Sequence, residues 1–205
     1  MRVFITGTDT NVGKTIVCSW LALHTGHTYF KPIQCGIYPS TDSETVKEIT
    51  GRNIFKETFC FKNPLSPHLA SKLQNIEIDI NAIKLPYAND LIIEGAGGLL
   101  VPIDKTTLVV DLISLFSLPV ILVARSSLGT INHTLLSIEA LRHRKIPLLG
   151  VIMNNGINQD NIDAIEFYGK VKILTCLPRF NHISKEILKE IPLTEDLKKV
   201  FGIKS

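Results

Sequence analysis

Apolar runs alternate along this chain with polar loops and stretches of helical period. Val3 to Ile5, Tyr29 to Ile33, Leu91 to Ile93, Val120 to Ala124, Leu149 to Met153 and Val171 to Cys176 are rich in Val, Ile or Leu without strict alternation. Strands buried on both faces have this composition. A stripe of Ile16, Trp20 and Leu23 follows the first run and predicts a helix. Thr41 to Gly51 predicts another: Thr41 and Glu44 have capping-box spacing, Val46 and Ile49 share a face, and Gly51 is a stop. A third is expected over Thr130 to Arg144, with Leu135, Ile138 and Leu141 or Leu136 and Ala140 inward and Pro147 before the next strand. His182 to Ser205 is polar and Lys-rich and predicts one or two surface helices. Such alternation of strand and crossover argues for an α/β fold with a parallel sheet and helices on both faces. With 205 residues and 45% hydrophobic content, and with neither repeat nor low-complexity linker, residues 1–205 are expected to form a single domain.

In an open parallel sheet, ligands bind beyond the carboxyl ends of the strands. That edge would gather Gly7 to Thr15, Lys31 to Gly36, Glu94 to Gly98, Arg125 to Asn132, Asn154 with Asn155, and Pro178. Its first member, GTDTNVGKT, lies between the first strand and the first helix. A turn of this kind lets backbone N–H groups converge on anionic oxygens at the positive end of a helix dipole. Lys14 supplies a mobile charge for the outer phosphates and Thr15 a hydroxyl able to ligate Mg²⁺. Counted from Gly7 the loop is one residue longer than G-x-x-x-x-G-K-[ST], because Thr8 stands at the first glycine position. The loop and its context predict a P-loop NTPase-like sheet.

Four further residues carry chemistry. Glu94 ends an apolar run and precedes Gly95-Ala96-Gly97-Gly98; it suits Mg²⁺ or its water shell, or a hydrogen bond to turn amides. Asp42 falls in the first turn of a helix, where the dipole alone accounts for an acid as well as a metal would. Lys31 lies inside or at the end of an apolar strand and precedes Pro32. An ammonium there either pairs with an anion, neutralising charge developed in phosphoryl transfer, or keeps its head in solvent at the sheet rim. Asn154 offers the donor and acceptor that an adenine edge requires, although Asn-Asn-Gly is also ordinary turn chemistry.

Composition narrows the partners. A net charge of +3 with 20% charged residues is no nucleic-acid signature, and Arg142 to Lys145 at a helix C-terminus reads as a solvated face. The six histidines lack metal-ligand spacing and there is no G-x-S-x-G elbow, against a zinc site or the simplest hydrolase. The four cysteines show no C-x-x-C pairing. The chain opens on a core strand, and no run of 18 apolar residues occurs. These features predict a cytoplasmic protein with no membrane and no nucleic-acid partner.

The motifs GTDTNVGKT, KPIQCG, TDSE, SPH, EGAGG followed by LLVPI, and LGTINH together resemble dethiobiotin synthetase in order and spacing, from Gly7 to about Pro178. The resemblance implies ATP- and Mg²⁺-dependent closure of a cyclic urea on 7,8-diaminopelargonate with CO2, through a carbamate and a carbamic-phosphoric anhydride. It implies that Lys14 and Lys31 contact carbamate and phosphate oxygens, that Thr10, Asn11, Val12, Gly13, Lys14 and Thr15 cradle ATP, and that Asn154 and Pro178 meet its base. Thr15, Asp42 and Glu94 would hold Mg²⁺. Substrate would be met by Lys31 and Cys35, and by Gly129, Thr130 and Asn132 at a helix N-terminus contributed across a homodimer interface. Asn11 stands where the family commonly has an acid, and Cys35 where it has Ser or Thr. The alternative is a partitioning-type regulatory P-loop ATPase, a nucleotide-driven dimer switch. Its additional loop lysine has no counterpart between Gly7 and Asn11.

Overall fold

A computed structural model describes residues 1–204. In chain order the elements are β1 (Arg2–Gly7), α1 (Lys14–Thr25), β2 (Thr28–Phe30), β3 (Ile33–Cys35), α2 (Asp42–Thr50), β4 (Ile54–Phe55), β5 (Phe59–Phe61) and α3 (Pro67–Leu73). A short 3-10 turn at Ile80–Ala82 precedes β6 (Leu91–Gly98), α4 (Val109–Phe116), β7 (Val120–Arg125), α5 (Thr130–His143), β8 (Leu148–Asn154), α6 (Gln159–Gly169), β9 (Ile173–Cys176), α7 (Lys185–Glu190) and α8 (Glu195–Phe201). Seven strands form one sheet in the order β4-β2-β6-β1-β7-β8-β9, and every pairing in it is parallel. This is the expected α/β architecture, with β1 near the centre between β6 and β7.

Strand alternation divides the core into two layers. Val3, Ile5, Tyr29, Ile92, Ile121 and Ile152 face α1, where Val17, Trp20 and Leu21 cover them together with Val46 of α2. Phe4, Phe30, Ile93 and Val120 face the other way onto Val109, Val110, Leu112 and Ile113 of α4. Leu122, Ala124, Val151 and Met153 continue that layer under Ile138 of α5 and Ile165 of α6. The tail forms the expected two helices, but it contributes more than surface: Leu188, Leu193, Leu197 and Phe201 are buried in the α1 layer. Trp20 Nε1 donates to the Ile191 carbonyl at 2.8 Å and ties that tail to α1.

The run Tyr29 to Ile33 is not one strand. It splits at Lys31-Pro32 into β2 of the main sheet and β3, which pairs with β5 in a separate two-stranded sheet. Pro32 has no N–H to continue a ladder, and its carbonyl turns outward to accept from Thr58 and Phe59 N–H. The chain thereby leaves the main sheet just after Lys31. Glu94, read as a strand end, lies inside β6, opposite Ile5 of β1; the glycines after it extend the strand to Gly98. The predicted helix at Thr130 to Arg144 spans Thr130–His143, with Ile138 and Leu141 buried and Leu136 half-exposed. That settles the inward face as the first of the two alternatives.

Candidate active site

The phosphate loop is built by local necessity. At Gly7 a Cβ would stand 2.7 Å from Val12 Cγ2 and 2.9 Å from the Asp9 carbonyl, so the loop folds tightly over the end of β1. Gly13 has φ +92°, and a Cβ there would sit 1.9 Å from Asn154 Nδ2. Asn11 also takes a positive φ, 58°, which asparagine tolerates better than most residues. Val12 is buried beneath the loop at 1% exposure, leaving its backbone to face a ligand. Helix α1 begins at Lys14, whose Nζ donates to the Asp9 carbonyl at 2.9 Å.

Next to this loop lies a cluster of buried charges. Lys31 Nζ is 2.5 Å from Asp42 Oδ2 and 2.9 Å from Glu94 Oε1. Thr15 Oγ1 donates within 3.0 Å to Asp42 Oδ1 and lies equally close to Glu94 Oε1. Four of the residues singled out from sequence thus meet at one point. Asp42 arrives there because the capping box forms: Thr41 Oγ1 accepts from Glu44 N–H, and the Glu44 carboxylate accepts from Thr41 N–H. Gln34, missed in the sequence, bridges the two segments: its Oε1 accepts from Asp42 N–H at 3.3 Å and its Nε2 donates to the Gly36 carbonyl at 2.7 Å. Tyr29 was also missed, since an aromatic in an apolar run carries no polar signal. Its hydroxyl donates to Glu94 Oε2 at 2.8 Å.

Electrostatics differ between the two lysines. Burial pulls Lys14 down to about 8, against the attraction of Glu94. Burial also acts on Lys31, but Glu94 and Asp42 outweigh it and hold its pKa above the ordinary lysine value. Asp42 is half-buried, which favours its neutral form, yet Lys31 pulls its pKa below the ordinary aspartate value. Lys31 is therefore a buried, ion-paired cation and not a rim lysine with its head in solvent, while Lys14 is poised to gain from an anion.

These groups line a cleft of about 780 Å³. Thr10, Asn11, Gly13, Lys14 and Thr15 line it with Lys31, Asp42 and Glu94, and so do Cys35, Gly36, Tyr38 and residues 64–67. Burial raises the Cys35 thiol to about 11, so it faces the cleft as a neutral group. Asn154 sits behind the loop: its Nδ2 donates to the Val12 carbonyl at 3.0 Å, while its buried Oδ1 has no partner. Pro178 lies close by, after β9, where Leu177 N–H bonds the Met153 carbonyl, and lines a separate cavity with Arg179, Phe180 and Ile191. Gly129, Thr130 and Asn132 begin α5 and do not line the main cleft of their own chain. Of the basic cluster, Arg142 donates to the Gly169 and Lys170 carbonyls and Arg144 pairs with Asp111; both serve the fold.

A glycine loop running into a helix at the end of a central parallel strand, with a lysine and a hydroxyl at the first turn, defines a P-loop NTPase. A family model described as an AAA domain matches residues 1–186. The ATP-dependent dethiobiotin synthetase BioD of Lawsonia intracellularis is 57% identical over 201 residues, 98% of this chain and 99% of that protein. Its counterpart from Paramagnetospirillum magneticum is 47% identical over 192 residues, 93% of this chain and 94% of the relative. Among solved structures, the septum site-determining protein MinD of Pyrococcus horikoshii, complexed with Mg-ADP, has a TM-score of 0.55 and 16% identity, covering 98% of this chain and 90% of its own. That likeness bears on the fold alone. The chain belongs to the ATP-dependent dethiobiotin synthetase family, and is an enzyme of the ligase class.

Proposed function

We propose that this chain, as one synthetase domain over residues 1–205, converts 7,8-diaminopelargonate and CO2 to dethiobiotin at the expense of ATP. The observation that carries the reading is the shared cleft: a phosphate loop, two lysines and two carboxylates line one cavity of about 780 Å³ together with Cys35, Tyr38 and residues 64–67. One amine adds to CO2 and loses a proton, forming a carbamate. A carbamate oxygen then attacks the γ-phosphorus and ADP leaves. The second amine attacks the carbonyl carbon of the anhydride, phosphate departs with the C–O bond, and the cyclic urea closes. Lys14 and Lys31 hold the phosphate and carbamate oxygens as charge moves between them, so their work is positioning and charge stabilisation. Thr10 to Gly13 offer the phosphates their backbone, and Asn154, which braces that loop through Val12, reads the adenine edge with Pro178 beside the base.

Thr15, Asp42 and Glu94 fit Mg²⁺, since their hard oxygens converge on one point beside the loop. No group of three His, Cys, Asp or Glu among the described residues could hold a metal unaided, so the ion would draw on the nucleotide's phosphates as well. When bound, it neutralises charge on the outer phosphates. Cys35 lies along the path of the diamine, and Gly129, Thr130 and Asn132 of a second copy receive the substrate carboxylate at a helix N-terminus. The active form is then a homodimer, and the compartment the reducing cytoplasm. Phosphate release from Mg·ATP, with and without diaminopelargonate plus bicarbonate and with product mass recorded, tests the reading. Release that requires both substrates and yields dethiobiotin supports it. Release indifferent to them but responsive to DNA or lipid overturns it in favour of a regulatory ATPase.

A further inference from the structure

Tyr29 is fully buried, and its hydroxyl meets Oε2 of Glu94, a side chain only 1% exposed, at 2.8 Å. Filling the layer beneath α1 requires the ring alone; a phenylalanine would do it without needing an acceptor. The register explains how the contact arises. Tyr29 pairs with Ile92 across the parallel β2–β6 ladder, and Glu94 lies two residues on, on the same face. Two residues of strand advance about 6.6 Å, and side chains lean along the strand, so a tyrosine at this position reaches the carboxylate. A carboxyl group turns readily about its last torsion, which is broad and two-fold. With Oε2 held by Tyr29, Oε1 is the oxygen turned to Thr15 and Lys31.

We propose that Tyr29 is a positioning residue for the metal site: its hydroxyl fixes the plane of Glu94, so that Oε1 joins Thr15 and Asp42 in presenting oxygens to the divalent cation. The inference rests on the metal role given to Glu94 above. Partners of this kind, one bond removed from a metal, are worth about 10–100-fold in metal affinity or activity. The test is binding of a non-hydrolysable ATP analogue, by calorimetry, across a Mg²⁺ series and again in EDTA, for the wild type, Tyr29→Phe and Glu94→Gln. Phenylalanine retains the ring and its packing. Tyr29→Phe is expected to raise the Mg²⁺ concentration for half-maximal enhancement at least about tenfold, with affinity in EDTA within about twofold of wild type. A Mg²⁺ curve for Tyr29→Phe coincident with wild type, while Glu94→Gln is shifted, overturns the positioning role and leaves the metal role of Glu94 standing. Coincidence of all three curves removes that metal role and the inference with it. Equal weakening with and without Mg²⁺ marks a packing residue and also overturns the proposal.

Discussion

The two lysines of the cleft differ in what holds them, and their behaviour should differ accordingly. Lys31 is clamped between Asp42 and Glu94, and its charge is constant across the working range. Replacing it leaves a 1%-exposed carboxylate without its cation and removes a donor from the cleft. Lys31→Ala is expected to lower kcat at least about tenfold, equivalent to about 1.4 kcal/mol of transition-state stabilisation; single-turnover ADP formation checks it, and unchanged turnover removes Lys31 from the site. Lys14 has a pKa of about 8 because burial outweighs Glu94. Phosphate contact favours its charged form, so the pKa rises on binding. The sign follows: metal-free nucleotide binds at full strength below pH 8 and weakens above it, by at most about tenfold per pH unit. Lys14→Arg, charged throughout, should give a flat profile between pH 7 and 9.5 in the same titration; a flat profile for the wild type would refute the assignment.

Helix α2 shows how a local rule serves a distant site. Thr41 and Glu44 were legible as a capping box, and the box is what sets Asp42 at the first position of the helix. Thr41→Ala is expected to cost about 1 kcal/mol of stability in urea unfolding and to raise the Mg²⁺ requirement, because the entry turn that aims Asp42 at Thr15 is loosened. An unaltered midpoint would show that the cap contributes nothing here. Other elements had weaker signals. The short strands β4 and β5 have two and three residues, too few for a period, and α4 is apolar almost throughout, so its sequence does not separate a helix from a buried strand. The split of Tyr29 to Ile33, read as one run, was concealed for another reason: the destination of β3 depends on β5, over twenty residues away.

At the scale of the molecule, the helix start Gly129 to Asn132 lies outside its own chain's cleft, which is what a site completed by a second copy requires. Sedimentation at micromolar concentration is expected to give a dimer, and dilution below the dissociation range should abolish turnover; a fully active monomer would contradict the shared site. Sequence by itself determined the P-loop and the parallel α/β plan, and it marked Lys14, Lys31, Asp42 and Glu94 as candidates, Asp42 for a metal only through the family resemblance. Each depends on local rules: periodicity, capping, glycine turns and charge set among apolar neighbours. Tertiary structure alone decided that Lys31 joins Asp42 and Glu94, that Gln34 and Tyr29 brace them, and that Asn154 locks the loop against Gly13. The longest of these contacts come from strand order and register: Lys31 with Glu94, Tyr29 with Glu94 and Asn154 with Val12 join residues 63, 65 and 142 positions apart. No local pattern encodes that distance; it is set when the whole sheet closes over its two layers of helices.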